Sequence, residues 1–237
     1  MQLSAPIYQL KRKAKTLVRE NAIPLHMALD RVAMAEGYAS WSLLAARYVP
    51  ASAAARLYGR LREGDLLLLG ARPGQGKTML ALELAVEAMR RGRQGRFFTL
   101  EYTQSDVLNR LGMIGVKPED FGDLFECDCS DRVCADYIIE KAGRLAPGAL
   151  IVIDYLQLLD QRRENAPLDG QVAALKAFAQ RRGVVVVFIA QIDRSYDAAI
   201  RPCPELSDLR MPNRLDVSAF DKTCFLHGGD VRMAALG

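Results

Sequence analysis

The pattern of hydrophobic positions divides the chain into two parts. In the first 49 residues, apolar side chains recur at helical spacing. The first such stripe consists of Ile7, Leu10, Ala14, Leu17 and Val18. Pro24 suits the first turn of a second helix that Gly37 ends, and Ser40 can cap a third helix that stops before Pro50. Residues 1–49 are therefore predicted to form a small all-helical module.

From residue 64 onward, short apolar runs alternate with amphipathic stretches. The runs that predict strands are Leu66–Leu69, Phe97–Leu100, Leu150–Ile153, Val184–Ile189 and Thr223–Leu226. A helix is predicted over Met79–Arg91, between the first two. Continuous apolar strands separated by helices are typical of a parallel sheet covered on both faces. We therefore predict an α/β domain over residues 64–237, joined to the module by a linker or short helix at 50–63.

Composition supports a globular protein with an uneven charge. Of 237 residues, 50% are hydrophobic and 25% charged, which excludes wholesale disorder. No apolar run approaches the roughly 20 residues of a membrane span, and no signal peptide begins the chain. Five cysteines in a chain of this size favour free thiols in a reducing cytoplasm. We expect a cytoplasmic protein without membrane contact.

The net charge of +4 lies entirely in residues 1–49, which hold seven Lys/Arg and three acids. Lys11, Arg12 and Lys15 stand off the apolar stripe of the first helix, so they are candidates for contacts with nucleic acid. A basic helix is also typical of a docking or oligomerisation module whose charged face is solvated, and the pattern favours that interpretation over contact with DNA. Both interpretations stay open at this stage.

A phosphate-binding loop follows the first predicted strand. Its sequence is Ala71-Arg-Pro-Gly-Gln-Gly-Lys-Thr78, and a helix is predicted directly after it. In such a loop, small residues let backbone N–H groups converge on phosphate oxygens at a helix N-terminus. Lys77 would neutralise phosphate charge and Thr78 would supply a hydroxyl for Mg²⁺. The residues predicted to bind ATP are Arg72, Pro73, Gly74, Gln75, Gly76, Lys77, Thr78 and Met79. The alternative is a chance glycine turn.

Three further candidates stand at the ends of predicted strands, where ligands of parallel sheets bind. Asp154 ends the third strand and is placed to hold Mg²⁺ together with Thr78, unless it only caps the next turn. Glu101 ends the second strand and could deprotonate an attacking water, although acids at strand ends are common. Gln191 ends the fourth strand and could hydrogen-bond the γ-phosphate.

Five segments together resemble the DnaB-type replicative helicase family, a branch of the RecA-like ATPases that also include KaiC-like proteins. They are Arg72–Thr78, Thr99–Glu101, Ile153–Leu158, Gln191–Arg194 and Ser207–Arg210. The similarity spans about residues 60–225. The resemblance implies a RecA-like core, Mg-ATP hydrolysis with Glu101 as general base, single-stranded DNA binding and assembly into rings or filaments.

The resemblance also implies that the loops after the third and fourth strands bind DNA. Their candidate residues are Arg162, Arg163, Arg194, Arg201 and Arg210. Acidic residues balance these arginines in both loops, so local salt bridges are an equal alternative.

The chain departs from the family pattern at its end and at its beginning. The family's Lys-x-Arg pair, which reaches a neighbouring subunit's ATP site, has no counterpart; Arg232 is the best remaining candidate, followed by Arg210 and Arg214. An arginine finger typically contributes 10³–10⁵ in rate, so slow hydrolysis is expected unless another residue supplies it. The basic module replaces the family's N-terminal domain. Two alternatives therefore remain: a regulatory RecA/KaiC-like ATPase that unwinds nothing, and a nucleotide-binding scaffold without turnover.

Overall fold

The computed structural model describes residues 4–5, 7–21, 23–47, 52–160, 165–197, 199, 201–210 and 215–236. The chain forms two compact units, Met1–Ala51 and Ser52–Gly237. None of the described helices is long and apolar enough to cross a membrane.

The N-terminal unit consists of helices α1 (Ile7–Asn21), α2 (Leu25–Ala35) and α3 (Trp41–Arg47). Its small core consists of Leu10, Ala14, Ala28, Val32, Ala33 and Leu44. The Ser40 hydroxyl accepts a hydrogen bond from the Leu43 N–H at 3.3 Å, as the sequence predicts for a cap. Leu25 and Leu43, in contrast, are 46% and 52% exposed, because three short helices bury only one side of each helix.

The second unit is built on a seven-stranded sheet with the order β3-β2-β4-β5-β1-β6-β7. Its strands are β1 (Leu66–Ala71), β2 (Gly95–Thr99), β3 (Phe125–Asp128), β4 (Leu150–Asp154), β5 (Val185–Gln191), β6 (Lys222–His227) and β7 (Asp230–Ala235). Every neighbouring pair is parallel except β6 and β7, which are antiparallel. The predicted α/β class with a mainly parallel sheet is confirmed.

Helices cover both faces of this sheet. They are α4 (Ala53–Tyr58), α5 (Lys77–Met89), α6 (Gln104–Met113), α7 (Ala135–Ala142) and α8 (Leu168–Arg182), with short 3₁₀ turns at Pro118–Leu124, Leu156–Asp160, Leu206–Asp208 and Val217–Ala219. Along β1, Leu66 and Leu68 face the cluster that contains α7 and α8, whereas Leu67 and Leu69 face α4 and α5. Because β1 is buried on both faces, its sequence is a continuous apolar run.

The two outermost strands, β3 and β7, were not predicted from the sequence. Both are edge strands with exposed or half-buried residues, so neither carries the apolar run that marks an interior strand. In the segment predicted as a linker or short helix, the described residues contain a short helix. This helix, α4, begins at Ser52, whose hydroxyl accepts from the Ala55 N–H at 3.0 Å, and buries Ala54 and Leu57 against the sheet domain.

Candidate nucleotide-binding site

The loop between β1 and α5 has the backbone geometry of a phosphate cradle. Gly74 and Gly76 adopt φ values of 78° and 84°, which residues with a side chain rarely take. A Cβ at either position would meet nothing within 4 Å, so these glycines are required by conformation, and the loop borders open space. Lys77 and Thr78 are the first residues of α5, so they lie at the positive end of its dipole.

The buried carboxylate of Asp154 lies beside Thr78. Asp154 ends β4, and its Oδ2 accepts a hydrogen bond from the Thr78 hydroxyl at 3.0 Å. Its Oδ1 is buried and has no hydrogen-bond partner in the described part of the chain. A hydroxyl and an unsatisfied carboxylate oxygen are the hard donors that Mg²⁺ prefers, so these two residues fit the predicted metal site. A bound Mg²⁺ would screen the charge of the phosphates there.

Glu101 approaches Asp154 because their strands are neighbours. Thr99 at the end of β2 pairs with Asp154, and Glu101 follows two residues later with its N–H donating to the Thr99 hydroxyl at 3.1 Å. Burial raises the pKa of Asp154 to about 6, and the negative charge of Glu101 acts in the same direction; the Thr78 hydrogen bond and Lys77 act in the opposite direction. The negative charges of Asp154 and Glu101 therefore interact, and each carboxylate disfavours ionisation of the other.

Gln191 ends β5, the strand that lies between β4 and β1. It pairs in register with Ala71, the last residue of β1, and the Ile192 N–H donates to the Ala71 carbonyl at 3.1 Å. The fold thus brings Lys77, Thr78, Asp154, Glu101 and Gln191 to one edge of the sheet, from elements far apart in sequence.

The remaining loop residues connect the cradle to its surroundings. The Arg72 Nη2 donates to the carbonyl of Arg194 at 3.5 Å, and the Gln75 Oε1 accepts from the Gly228 N–H at 2.9 Å. Pro73 is exposed, and Met79 is half-buried on α5. The cradle is therefore tied both to the loop after β5 and to the turn between β6 and β7.

The family model described as "DnaB-like helicase C terminal domain" matches residues 54–117 and 128–234, well over half of the chain. The chain belongs to this DnaB-like family. The matched ranges contain the phosphate loop, Glu101, Asp154 and Gln191.

Sequence similarity to individual curated proteins supports this family membership. The replicative DNA helicase DnaB of Geobacillus stearothermophilus is 28% identical over 207 residues, covering 74% of this chain and 45% of the relative. A probable plasmid replicative DNA helicase of Chlamydia trachomatis is 26% identical over 190 residues, covering 67% of this chain and 42% of the relative. The chain spans less than half the length of these curated relatives.

Two solved structures share the fold. One, described as an ATPase domain, matches with a TM-score of 0.57 and 23% identity, covering 70% of each chain. A DnaB-like replicative helicase, solved in a study of its interactions with primase, matches with a TM-score of 0.56 and 20% identity. That match covers 96% of this chain and 73% of the other. Both likenesses concern the fold and agree with the RecA-like architecture.

Two residues of this DnaB-like site escaped the sequence analysis. Arg110 on α6 lies over the Tyr102 ring, 4.1 Å from its centroid, and its charge helps to lower the pKa of Asp154. Gln157 donates from Nε2 to the Arg210 carbonyl at 2.7 Å. The Arg210 N–H in turn donates to the Gln191 carbonyl at 2.8 Å. Gln157 lies within the Ile153–Leu158 segment that carries the family resemblance, but no role was predicted for it.

The DNA candidates of this DnaB-like chain have different environments. Arg194 and Arg210 are exposed beyond β5. Arg201 makes ion pairs with Glu205 at 3.1 Å and Asp208 at 2.6 Å, which fits the local salt-bridge alternative. Arg162 and Arg163, like Arg214, lie outside the described residues.

The remaining cationic candidates lie elsewhere in the chain. Lys11, Arg12 and Lys15 are exposed on α1 of the N-terminal unit. Arg232, the leading candidate for a trans-acting finger, is exposed on β7.

The environment of Asp154 predicts how the stability of the ligand-free protein depends on pH. Its pKa is about 6 in the folded protein, well above the usual value of an aspartate carboxyl, so its ionisation opposes folding as the pH rises from the usual value through about 6. We expect Asp154→Asn to stabilise the ligand-free protein by about 1–3 kcal/mol at pH 7.5, and much less near pH 4. Thermal unfolding with EDTA across this range measures the difference.

The exposed Asp136, in the first turn of α7, provides a matched control for this change. Asp136→Asn removes the same charge from the surface and should leave the pH dependence almost unchanged. If Asp154→Asn and the parent protein were equally stable at every pH, ionisation of the buried Asp154 carboxylate would not destabilise the fold.

Proposed function

We propose that this chain is a Mg-ATP-hydrolysing, DnaB-helicase-like protein that acts on or near single-stranded DNA and self-associates into a ring or filament. The observation that carries the proposal is the contact between the Thr78 hydroxyl and the buried Asp154, with Glu101 beside it. Lys77 binds and neutralises the phosphates, while Thr78 and Asp154 hold Mg²⁺. Glu101 accepts the proton of the attacking water, and Gln191 hydrogen-bonds the γ-phosphate.

Hydrogen bonds in the segment after β5 support a coupling between nucleotide binding and DNA binding. One main-chain hydrogen bond joins Arg210 to Gln191, and the Arg72 side chain donates to the carbonyl of Arg194. Both Arg194 and Arg210 are exposed, so they can reach phosphates of a bound strand. A change in the contact between Gln191 and the γ-phosphate would therefore reach the two candidate DNA contacts through these hydrogen bonds.

The regulatory ATPase is the second candidate. It is favoured by the engagement of Arg201, one of the candidate DNA contacts, in ion pairs with Glu205 and Asp208. A fluorescent forked duplex with Mg-ATP distinguishes the two. Release of the labelled strand supports a helicase, whereas nucleotide-dependent DNA binding or assembly without release supports a regulatory switch.

Binding of a fluorescent single-stranded oligonucleotide tests the DNA part of the proposal, measured by anisotropy across a salt series with Mg-ATP. We expect the combined variant Lys11→Gln, Arg12→Gln and Lys15→Gln to bind more weakly. The slope of log K against log salt should become shallower by about 2, since each phosphate contact on a single strand contributes about 0.7.

A matched control removes three exposed charges from the other unit, through Arg132→Gln, Lys141→Gln and Arg144→Gln. If both triple variants change the slope equally, net charge alone drives binding and α1 makes no specific contact. An unchanged slope in the α1 variant assigns the N-terminal module to protein contacts instead.

A further inference from the structure

Two thiols lie in contact at the end of edge strand β3. Cys127 lies within β3, and Cys129 directly follows Asp128, the last residue of the strand. Their Sγ atoms are 3.6 Å apart, and both cysteines are free thiols. Side chains two residues apart on an extended segment point to the same face of a sheet, so the contact follows from the strand geometry.

The side chain of Asp128, between the two cysteines, points to the opposite face. Its Oδ2 accepts a hydrogen bond from the Tyr137 hydroxyl of α7 at 2.8 Å, and its Oδ1 accepts from the Ser130 N–H at 2.8 Å. Cys127, in contrast, packs against the hydrophobic cluster that contains the buried residues of α6. These contacts of Asp128 keep the two thiols together on the α6 side of β3.

The two thiols differ in their exposure. Cys129 is exposed, whereas Cys127 is half-buried. Burial raises the pKa of the Cys127 thiol, and its contact with Cys129 acts in the same direction. The thiolate is the nucleophilic form of a cysteine, and its access to a reagent controls its rate. An incoming reagent therefore meets Cys129 first, while Cys127 stays in contact with the Cys129 sulfur.

We propose that Cys127 and Cys129 form a reversible dithiol–disulfide site that reacts with a small-molecule disulfide such as glutathione disulfide. The Cys129 thiolate attacks one sulfur of the small disulfide, forms a mixed disulfide and releases one thiolate. The Cys127 thiol then loses its proton, and its thiolate attacks the Cys129 sulfur and displaces the second thiolate. Two electrons pass from the protein to the small disulfide, which leaves as two thiols that carry the protons of the two cysteines.

The end of β3 allows the two sulfurs to close. A disulfide needs a separation of about 2.05 Å, so the sulfurs must approach by about 1.5 Å from the observed 3.6 Å. Cys129 lies beyond the last registered pair of β3 with β2, which is Phe98↔Asp128, so it can move without breaking that pairing. Among the described residues, no group of three or more His, Cys, Asp or Glu could hold a metal ion, which favours oxidation over metal binding.

Mass spectrometry of the full chain tests this site. The reduced chain is incubated with excess glutathione disulfide, the remaining thiols are alkylated, and trypsin cleavage after Arg132 separates the pair from Cys134. We expect the peptide that contains Cys127 and Cys129 to lose two hydrogens and to carry neither glutathione nor an alkyl group. Reduced glutathione should restore both thiols. The buried Cys203 and Cys224 should stay reduced throughout.

Single variants separate the roles of the two cysteines. Cys127→Ser should accumulate the mixed disulfide with glutathione on Cys129, because no second thiol displaces it. Cys129→Ser should react with glutathione disulfide roughly tenfold or more slowly, because the shielded Cys127 thiol forms less thiolate. Cys134→Ser is the matched control and should oxidise like the parent chain. In urea, where the burial of Cys127 is lost, the two single variants should react at similar rates.

Three results would overturn the proposal. The first is a parent chain that keeps a stable glutathione adduct on Cys129, or that does not react at all. The second is a disulfide that joins the Cys129 peptide to the Cys134 peptide. The third is equal reaction rates of Cys127→Ser and Cys129→Ser in the folded state. The measurement concerns thiols alone and needs no nucleotide, so its outcome is independent of the proposed ATP hydrolysis.

Discussion

Lys77→Ala is expected to weaken ATP binding by roughly ten- to a hundred-fold, since losing a hydrogen bond to a charged partner costs about 1.5–3 kcal/mol. Lys77 is 8% exposed in the first turn of α5, directly after Gly76 of the cradle. Without it, only backbone dipoles and Thr78 meet the triphosphate. Titration of a fluorescent ATP analogue with Mg²⁺ measures the loss.

The exposed Lys141 on α7 gives a matched control, because Lys141→Ala removes the same side chain far from the phosphate loop in sequence. Its ATP affinity should equal that of the parent chain. Circular dichroism should show both variants folded. If folded Lys77→Ala binds ATP with parental affinity, the loop from Arg72 to Thr78 is not the phosphate site.

Interior strands of the domain could be predicted because burial on both faces leaves an unmistakable apolar run. Leu66–Leu69 and Leu150–Ile153 illustrate this: the structure extends each run by one or two residues and leaves the assignment intact. At the sheet edges this signal disappears. In β3, Glu126 is exposed and pairs with Arg96, so its sequence carries the polarity of a surface segment. Edge strands are defined by their neighbours rather than by their own composition.

The chemistry of the site was predictable where it depends on a single strand and the residues that follow it. Asp154 ends an apolar run and Lys77 lies in the loop after one, and parallel pairing necessarily brings such residues to one edge. Arg110 could not be found this way, because its proximity to Asp154 depends on how α6 packs after the Thr103 cap. The hydrogen bond from Gln157 to Arg210 likewise spans 53 residues and needs the folded loop.

Glu101→Gln is expected to bind Mg-ATP with near-parental affinity and to lose about 10²–10⁴-fold in turnover, the usual contribution of a general base. Glutamine is nearly isosteric and keeps the Glu101 backbone contact to Thr99, but its amide cannot accept a proton from water. Removing the negative charge also lowers the pKa of Asp154, so the Asp154 carboxylate is ionised over a wider pH range. Steady-state phosphate release with a parallel binding titration separates kcat from affinity.

The exposed Glu140 on α7 is the control for this carboxylate-to-amide change, and Glu140→Gln should hydrolyse ATP at the parental rate. Glu101→Asp adds a second comparison: it keeps the carboxylate but withdraws it by one methylene, so an intermediate rate indicates that distance to the water matters. Loss of both binding and turnover in Glu101→Gln would assign Glu101 to nucleotide binding rather than to catalysis. Normal turnover in Glu101→Gln would show that another residue is the general base. If the parent chain itself releases no phosphate, the scaffold alternative is correct.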